Sequence, residues 1–111
     1  MKPEISYDDF LKIDIRSGMI TKAEALPKSK KIVKLEVFFG PEVGHRTILA
    51  GIAKTYIVDG LPGLLVTAII NIPQREIMGE ISHGMLLCGQ SKEGAPQLVQ
   101  CYGSDLGCEI G

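Results

Sequence analysis

The sequence predicts an all-β domain folded as a small five-stranded Greek-key barrel. Three observations carry this. Apolar and polar residues alternate along several stretches, the period of two that half-buried strands require. Thirteen Gly and six Pro break these stretches with turn signals. At 111 residues, the chain makes one domain with one core.

The elements follow in order. Ser6-Tyr7-Asp8-Asp9-Phe10-Leu11 reads as a short helical turn. Ser6 caps it, and Asp8 and Asp9 suit its positive end. Phe10 and Leu11 are expected to plug one end of the core. Ile13, Ile15 and Ser17 alternate with Asp14, Arg16 and Gly18, so a strand starts there and runs toward Leu26. Gly18 within it suggests a sharp bend or bulge. Pro27-Lys28-Ser29-Lys30-Lys31 is a basic turn. The second strand, Ile32–Phe39, puts Val33, Leu35, Val37 and Phe39 on one face and Lys34 and Glu36 on the other. Gly40–Gly44 is a loop and Arg46–Ala50 a third strand. Gly51–Tyr56 reads as a helical turn or irregular link, and Asp59–Gly63 as a turn.

The stretch Leu64–Cys88 organises the rest. Two apolar β-type runs, Leu64–Ile70 and Met85–Cys88, flank a polar segment that reads as a loop. That segment holds Asn71, Gln74, Arg75, Ser82 and His83, with Gly79 and Gly84 as bends, a common way to build a binding face. Gln97–Tyr102 reads as a further strand and Leu106–Ile110 as a short last one. Five main strands with a helical link after the third fit the OB-fold, whose usual ligands are oligonucleotides and oligosaccharides.

Charge narrows the function. The net charge is −1, so bulk attraction to a polyanion is weak. Its distribution is uneven: residues 1–40 hold eight Lys/Arg against six Asp/Glu, and residues 41–111 hold four against seven. Lys28, Lys30, Lys31 and Lys34 fall within seven positions and can meet phosphates or form a solvated turn. Asn71 can bond a base edge or 2′-hydroxyl, or lock its own loop. Arg75 can pair with phosphate. Met85 can pack on a base or ribose, or in the core. Arg16 reads as an ion-pair partner of Asp14 or Glu36.

Other classes find little support. No apolar run reaches the ~20 residues of a membrane span. The start, MKPEISYDDF, lacks a signal peptide's apolar stretch, so a cytoplasmic location is expected. Cys88, Cys101 and Cys108 fit no metal spacing and read as small apolar side chains. There is no G-x-S-x-G, P-loop, HExxH or paired-carboxylate motif. His83 and Cys88 have no third residue to orient them. The expectation is a protein that is not an enzyme and uses no cofactor or metal.

Four segments together resemble one family. Asp9–Gly18 resembles the opening D-F-x-K-x-D-[IL]-R-V-G. Ala23-Glu24 with Lys30–Val37 resembles the second block, and Arg46–Tyr56 the third. Asn71, Arg75, Ile77-Met78-Gly79, Ser82 and Gly84-Met85-Leu86-Leu87 resemble the last, which ends S-x-G-M-L-L. This is the tRNA-binding domain family. It includes the C-terminal domain of bacterial methionyl-tRNA synthetases, free-standing structure-specific tRNA-binding proteins and CsaA-like chaperones. The resemblance covers nearly the whole chain. It implies an OB-fold homodimer that binds tRNA by shape and works alone or with an aminoacyl-tRNA synthetase. It also places dimer contacts outside the barrel, here in residues 97–111. The RNA-binding candidates are Lys30, Lys31, Lys34, Asn71, Arg75, Ser82, His83 and Met85. Three positions depart from the family pattern. N-L-K-P-R-K is Asn71–Glu76 here, S-Q-G-M is Ser82-His83-Gly84-Met85, and the Val of D-[IL]-R-V-G is Ser17. The alternative function is that of a CsaA-like export chaperone binding unfolded polypeptide.

Overall fold

A computed structural model describes residues 1–111. Its main sheet holds β1 (Ile15–Ala25), β2 (Val33–Phe38), β3 (His45–Ala50), β4 (Leu65–Ile69) and β7 (Met85–Leu86), in the order β3-β2-β1-β4-β7. Every pairing is antiparallel. Two hairpins are appended: β5 (Arg75–Ile77) with β6 (Glu80–Ser82), and β8 (Cys88–Gln90) with β9 (Pro96–Leu98). Helices are minor: α1 (Tyr7–Leu11), α2 (Gly40–Val43) and a 3-10 turn at Val58–Gly60. None is long and apolar enough to cross a membrane.

The sheet curls into a nearly closed five-stranded antiparallel barrel, the OB architecture. β1 serves two neighbours: Ile15–Met19 pairs with β4, and Met19–Ala25 with β2. The change of partner comes with a register shift between Ile20 and Lys22. The bend expected at Gly18 therefore lies just beyond it. Gly18 has a different reason: a Cβ there would stand 2.7 Å from the Phe39 ring and 2.8 Å from Val37. It is the gap that lets Phe39 into the core. Val33, Leu35, Val37 and Phe39 are fully buried, as their alternation requires, with Ile20, Ile48, Leu61, Val66 and Ala68 opposite.

The barrel closes between β3 and the segment Ser82–Gly84. The His83 amide donates to the Thr47 carbonyl at 2.8 Å. The Leu49 amide donates to Ser82 Oγ at 3.0 Å, and Ser82 is 1% exposed. Gly84, at φ +122°, passes so close that a Cβ would meet Ile48 Cδ1 at 3.1 Å.

Several expectations are corrected. Ser6 Oγ caps α1 by accepting from the Asp9 amide at 3.0 Å. But Phe10 and Leu11 do not plug the core: they are 39% and 59% exposed, because α1 packs no side chain into the barrel. The polar segment after β4 is not all loop. It contains the β5–β6 hairpin, too short and too exposed to show a clear apolar period. Of the expected strand over Gln97–Tyr102 only Gln97 and Leu98 are in a strand, β9 (Pro96–Leu98). Leu106–Ile110 forms a single bridge, Arg16 to Glu109, rather than a strand.

That C-terminal stretch is nonetheless part of the wall. It lies along the half of β1 that β2 does not reach. Gly107 donates to the Ser17 carbonyl at 2.8 Å, Ser17 to the Cys108 carbonyl at 3.2 Å, and Ile110 to the Ile15 carbonyl at 2.8 Å. Gly107, at φ +86°, leaves no room for a Cβ against the Phe39 carbonyl. Arg16 pins the tail: Nε bonds Asp14 Oδ1 at 2.7 Å, Nη1 the Gly107 carbonyl at 3.0 Å and Nη2 Glu109 Oε1 at 3.3 Å. Asp14 is the expected partner of Arg16, whereas Glu36 pairs with His45 at 3.3 Å. Leu98 is also buried, so removing everything after Glu93 would dismantle part of the barrel.

Ser82→Ala strips the buried Leu49 amide of its acceptor. The expected loss is about 1–3 kcal/mol, seen as a fall in Tm of several degrees in thermal unfolding. An unchanged Tm would remove Ser82 from the closure.

Candidate functional site

The turn from β1 to β2 is held by Ser29, whose Oγ accepts from the amides of Lys31 (3.1 Å) and Ile32 (2.9 Å). This side-chain-to-backbone turn leaves Lys28, Lys30 and Lys31 exposed. The Lys31 carbonyl also accepts from the Ala53 amide at 3.0 Å. Its aliphatic stem lies over Gly51, where a Cβ would come 3.2 Å from Lys31 Cε. The stem is packed while the ammonium stays in water. None of these three lysines is in an ion pair.

The β5–β6 hairpin folds toward this turn. Lys34 Nζ, on β2, pairs with Glu80 Oε1 on β6 at 3.2 Å. Between turn and hairpin lies a shallow cavity of about 260 Å³, lined by Leu26, Pro27, Lys28, Met78, Gly79 and Glu80. Beside it, the outer face of β1–β3 forms a polar groove of about 270 Å³ with Lys22, Glu24, Lys34, Glu36 and Thr47. Lys22 stands opposite Glu36, and Glu24 opposite Lys34, so that face is close to neutral. The turn carries uncompensated positive charge.

The candidate residues divide. Lys30 and Lys31 are exposed on the turn, Lys34 borders it with its charge taken by Glu80, and Arg75 is exposed on the hairpin. The three lysines share the turn and the start of β2, and Arg75 sits at the base of the hairpin whose Glu80 pairs with Lys34. Asn71, Ser82 and His83 belong to the frame. Asn71 Oδ1 accepts from the Asp14 amide at 2.9 Å and its Nδ2 donates to the Lys12 carbonyl at 2.6 Å. It locks the end of β4 to the segment before β1. Met85 is 40% exposed and so is not a core residue.

His83 Nε2 lies 3.0 Å from Arg46 Nη1, which also donates to the Ile70 carbonyl at 3.2 Å. A guanidinium only donates, so Nε2 is the unprotonated acceptor. Burial, and then the Arg46 charge, hold the His83 pKa below its usual value. Met78 was not among the candidates although it lines the cavity. Its sequence signal, Met-Gly between two short runs, is weaker than the Asn-Gly or Asp-Gly of a tight hairpin.

In an OB barrel, the ligand face comprises the second and third strands, the loop joining the first two strands and the loop joining the last two. Here those loops are the lysine turn and the segment with the β5–β6 hairpin. The chain belongs to the putative tRNA binding domain family, whose model matches residues 15–106. It is similar to the methionine–tRNA ligase of Chlorobium limicola, 40% identical over 105 residues, which are 95% of this chain and 15% of the ligase. The chain thus spans about 15% of the length of that curated relative. Two solved structures are similar along their whole length. Chaperone CsaA from Bacillus anthracis gives a TM-score of 0.88 at 31% identity, covering 98% of this chain and 100% of that one. The MetRS-related protein from Pyrococcus horikoshii gives 0.89 at 28% identity, covering 99% and 100%.

Because the folded His83 pKa is depressed, the unfolded chain takes up its proton first as pH falls. The stability due to neutral His83 is complete above the unfolded value of about 6.5. It is lost as pH drops through the lower folded value. His83→Gln keeps an acceptor for Arg46 and does not titrate. Tm measured from pH 7.5 to 5 should therefore fall less in His83→Gln than in the parent. Parallel curves would contradict the assignment.

Proposed function

We propose that this chain is a non-catalytic module that binds tRNA by its folded shape. The lysine turn and the β5–β6 hairpin form its binding face. The observation that supports this best is the set of exposed, ion-pair-free ammonium groups of Lys28, Lys30 and Lys31 on one hydrogen-bonded turn. Held there, they meet phosphates without first giving up an internal partner, and each contact releases counterions. The lysine turn and the β5–β6 hairpin carry no aromatic residue on which unpaired bases could stack; the nearest aromatic on the ligand-facing strands, Phe38 of β2, is half-buried with its ring centroid 4.8 Å from that of His45. That favours the phosphates and 2′-hydroxyls of A-form RNA over a single strand. Family membership points the same way. The ligase similarity supports a role beside an aminoacyl-tRNA synthetase, delivering or retaining its tRNA.

The module is proposed to act as a homodimer in the cytoplasm. Tyr7, Phe10, Leu11 and Ile13 are all exposed. A groove of about 580 Å³ runs between α1 and the last residues, with Phe10, Leu11, Ile13 and Ile110 in its walls. An apolar surface of this kind on a small domain is a contact for another protein, and a second copy is the occupant proposed here. In this proposal α1 and the C-terminal end of residues 97–111 carry the dimer contacts.

A second reading, binding of unfolded polypeptide, is favoured by the exposed Met78, Ile81 and Met85 and by the similarity to chaperone CsaA. Retardation of bulk tRNA against binding of a labelled unfolded polypeptide separates the two.

Lys30→Glu with Lys31→Glu should weaken tRNA binding and flatten the plot of log affinity against log salt by about one to two units. An unchanged plot would take the turn out of the site. Phe10→Glu with Leu11→Glu should give a folded monomer in sedimentation, since neither side chain serves the protomer's core. A sedimenting dimer in that variant would move the interface elsewhere.

A further inference from the structure

Met78 is the one non-glycine residue with a positive φ, +53°. It opens the two-residue turn between β5 and β6, followed by Gly79 at +83°. Two successive left-handed residues make the turn that suits a hairpin's twist, and Asn, Asp or Gly adopt it most easily. A long side chain there is strained. Packing does little to offset this: Met78 is 48% exposed. Gly79 next to it has open space on its side-chain face. The fold itself gains little from methionine at this position.

What the position offers is an outward apolar group over the cavity floored by Leu26 and Pro27. Ile81, 48% exposed, lies on the following strand. The charged groups around it are Lys28 at the cavity, Lys30 and Lys31 on the same turn, Glu80, and Glu76 on β5 opposite Ile81. Glu80 is paired with Lys34, so the mobile charge nearest the cavity is cationic. A flexible, polarisable thioether beside ammonium groups matches a ligand with an apolar face next to phosphates.

We propose that Met78 is an RNA-contacting residue, packing on a ribose or base face of tRNA while the lysine turn holds the adjacent phosphates. This rests on the tRNA reading above. It assigns to the hairpin tip a non-ionic contact that the lysines cannot supply. The lost contact would release no counterion, so it is separable from theirs by salt dependence.

Met78→Asn is the test, because Asn accepts the left-handed turn and removes the apolar group. Tm should stay level or rise. Affinity for tRNA should fall about threefold to tenfold, as expected for losing a half-buried side chain, with the salt slope unchanged. Met78→Leu, still apolar, should keep most of the affinity. Parent-like tRNA binding by Met78→Asn overturns this inference alone. A weaker affinity accompanied by a lower Tm also overturns it, placing Met78 in the fold. Loss of unfolded-polypeptide binding with tRNA binding intact assigns the tip to polypeptide instead. If the parent protein binds no tRNA, the functional reading falls and takes this inference with it.

Discussion

Ser82 Oγ accepts the amide of Leu49 across 33 residues of chain, and the amide of His83 then bonds Thr47. These two bonds hold β3 to the far end of the sheet, where a regular ladder is missing. A five-stranded barrel this small has little edge to spare, and an unpaired edge would expose the core and invite other chains. Closing on a hydroxyl lets the chain turn sharply at Gly84 into β7 and also satisfies a buried amide. The same closure sets where the β5–β6 hairpin emerges, and so which loops share a face.

Around that closure the polar side chains are used mostly as rivets. Asn71 joins the end of β4 to the entry of β1, Arg46 ties the Ile70 carbonyl to His83, and Arg16 fastens the C-terminal stretch. No buried side-chain polar atom lacks a partner. This is the condition under which polar groups can be buried in so small a domain without net loss. Basic residues divide accordingly. Arg16 and Arg46 are committed to the frame. Lys28, Lys30 and Lys31 stay at the surface, stiffened by Ser29 and by the packing of one lysine stem on Gly51. A protein of net charge −1 can thus hold a local cationic feature whose geometry is set before any ligand arrives.

The apolar surface outside the core is also divided. Two of its parts are α1 with Ile13 and Ile110, and the hairpin with Met78 and Ile81. The first forms a groove and suits a matching protein surface. The second is small and flanked by lysines, and suits a ligand with both apolar and anionic parts.

By itself the sequence determined the five barrel strands, the inward face of β2, the Ser6 cap, the basic turn and the barrel class. Each is written in neighbouring residues: an alternation of two, a capping residue, a run of turn formers. The family blocks were equally legible as residues in order. Only the tertiary structure decided what the polar residues of the last block do. Ser82 and Asn71 meet their partners 33 and 57 positions away, a distance at which local pattern says nothing. The hairpin was hidden for the opposite reason, since strands of three residues are shorter than the period needed to recognise them. Met78 owes its position to that hairpin: its left-handed φ arises from where two short strands must turn, and no property of methionine foretells it.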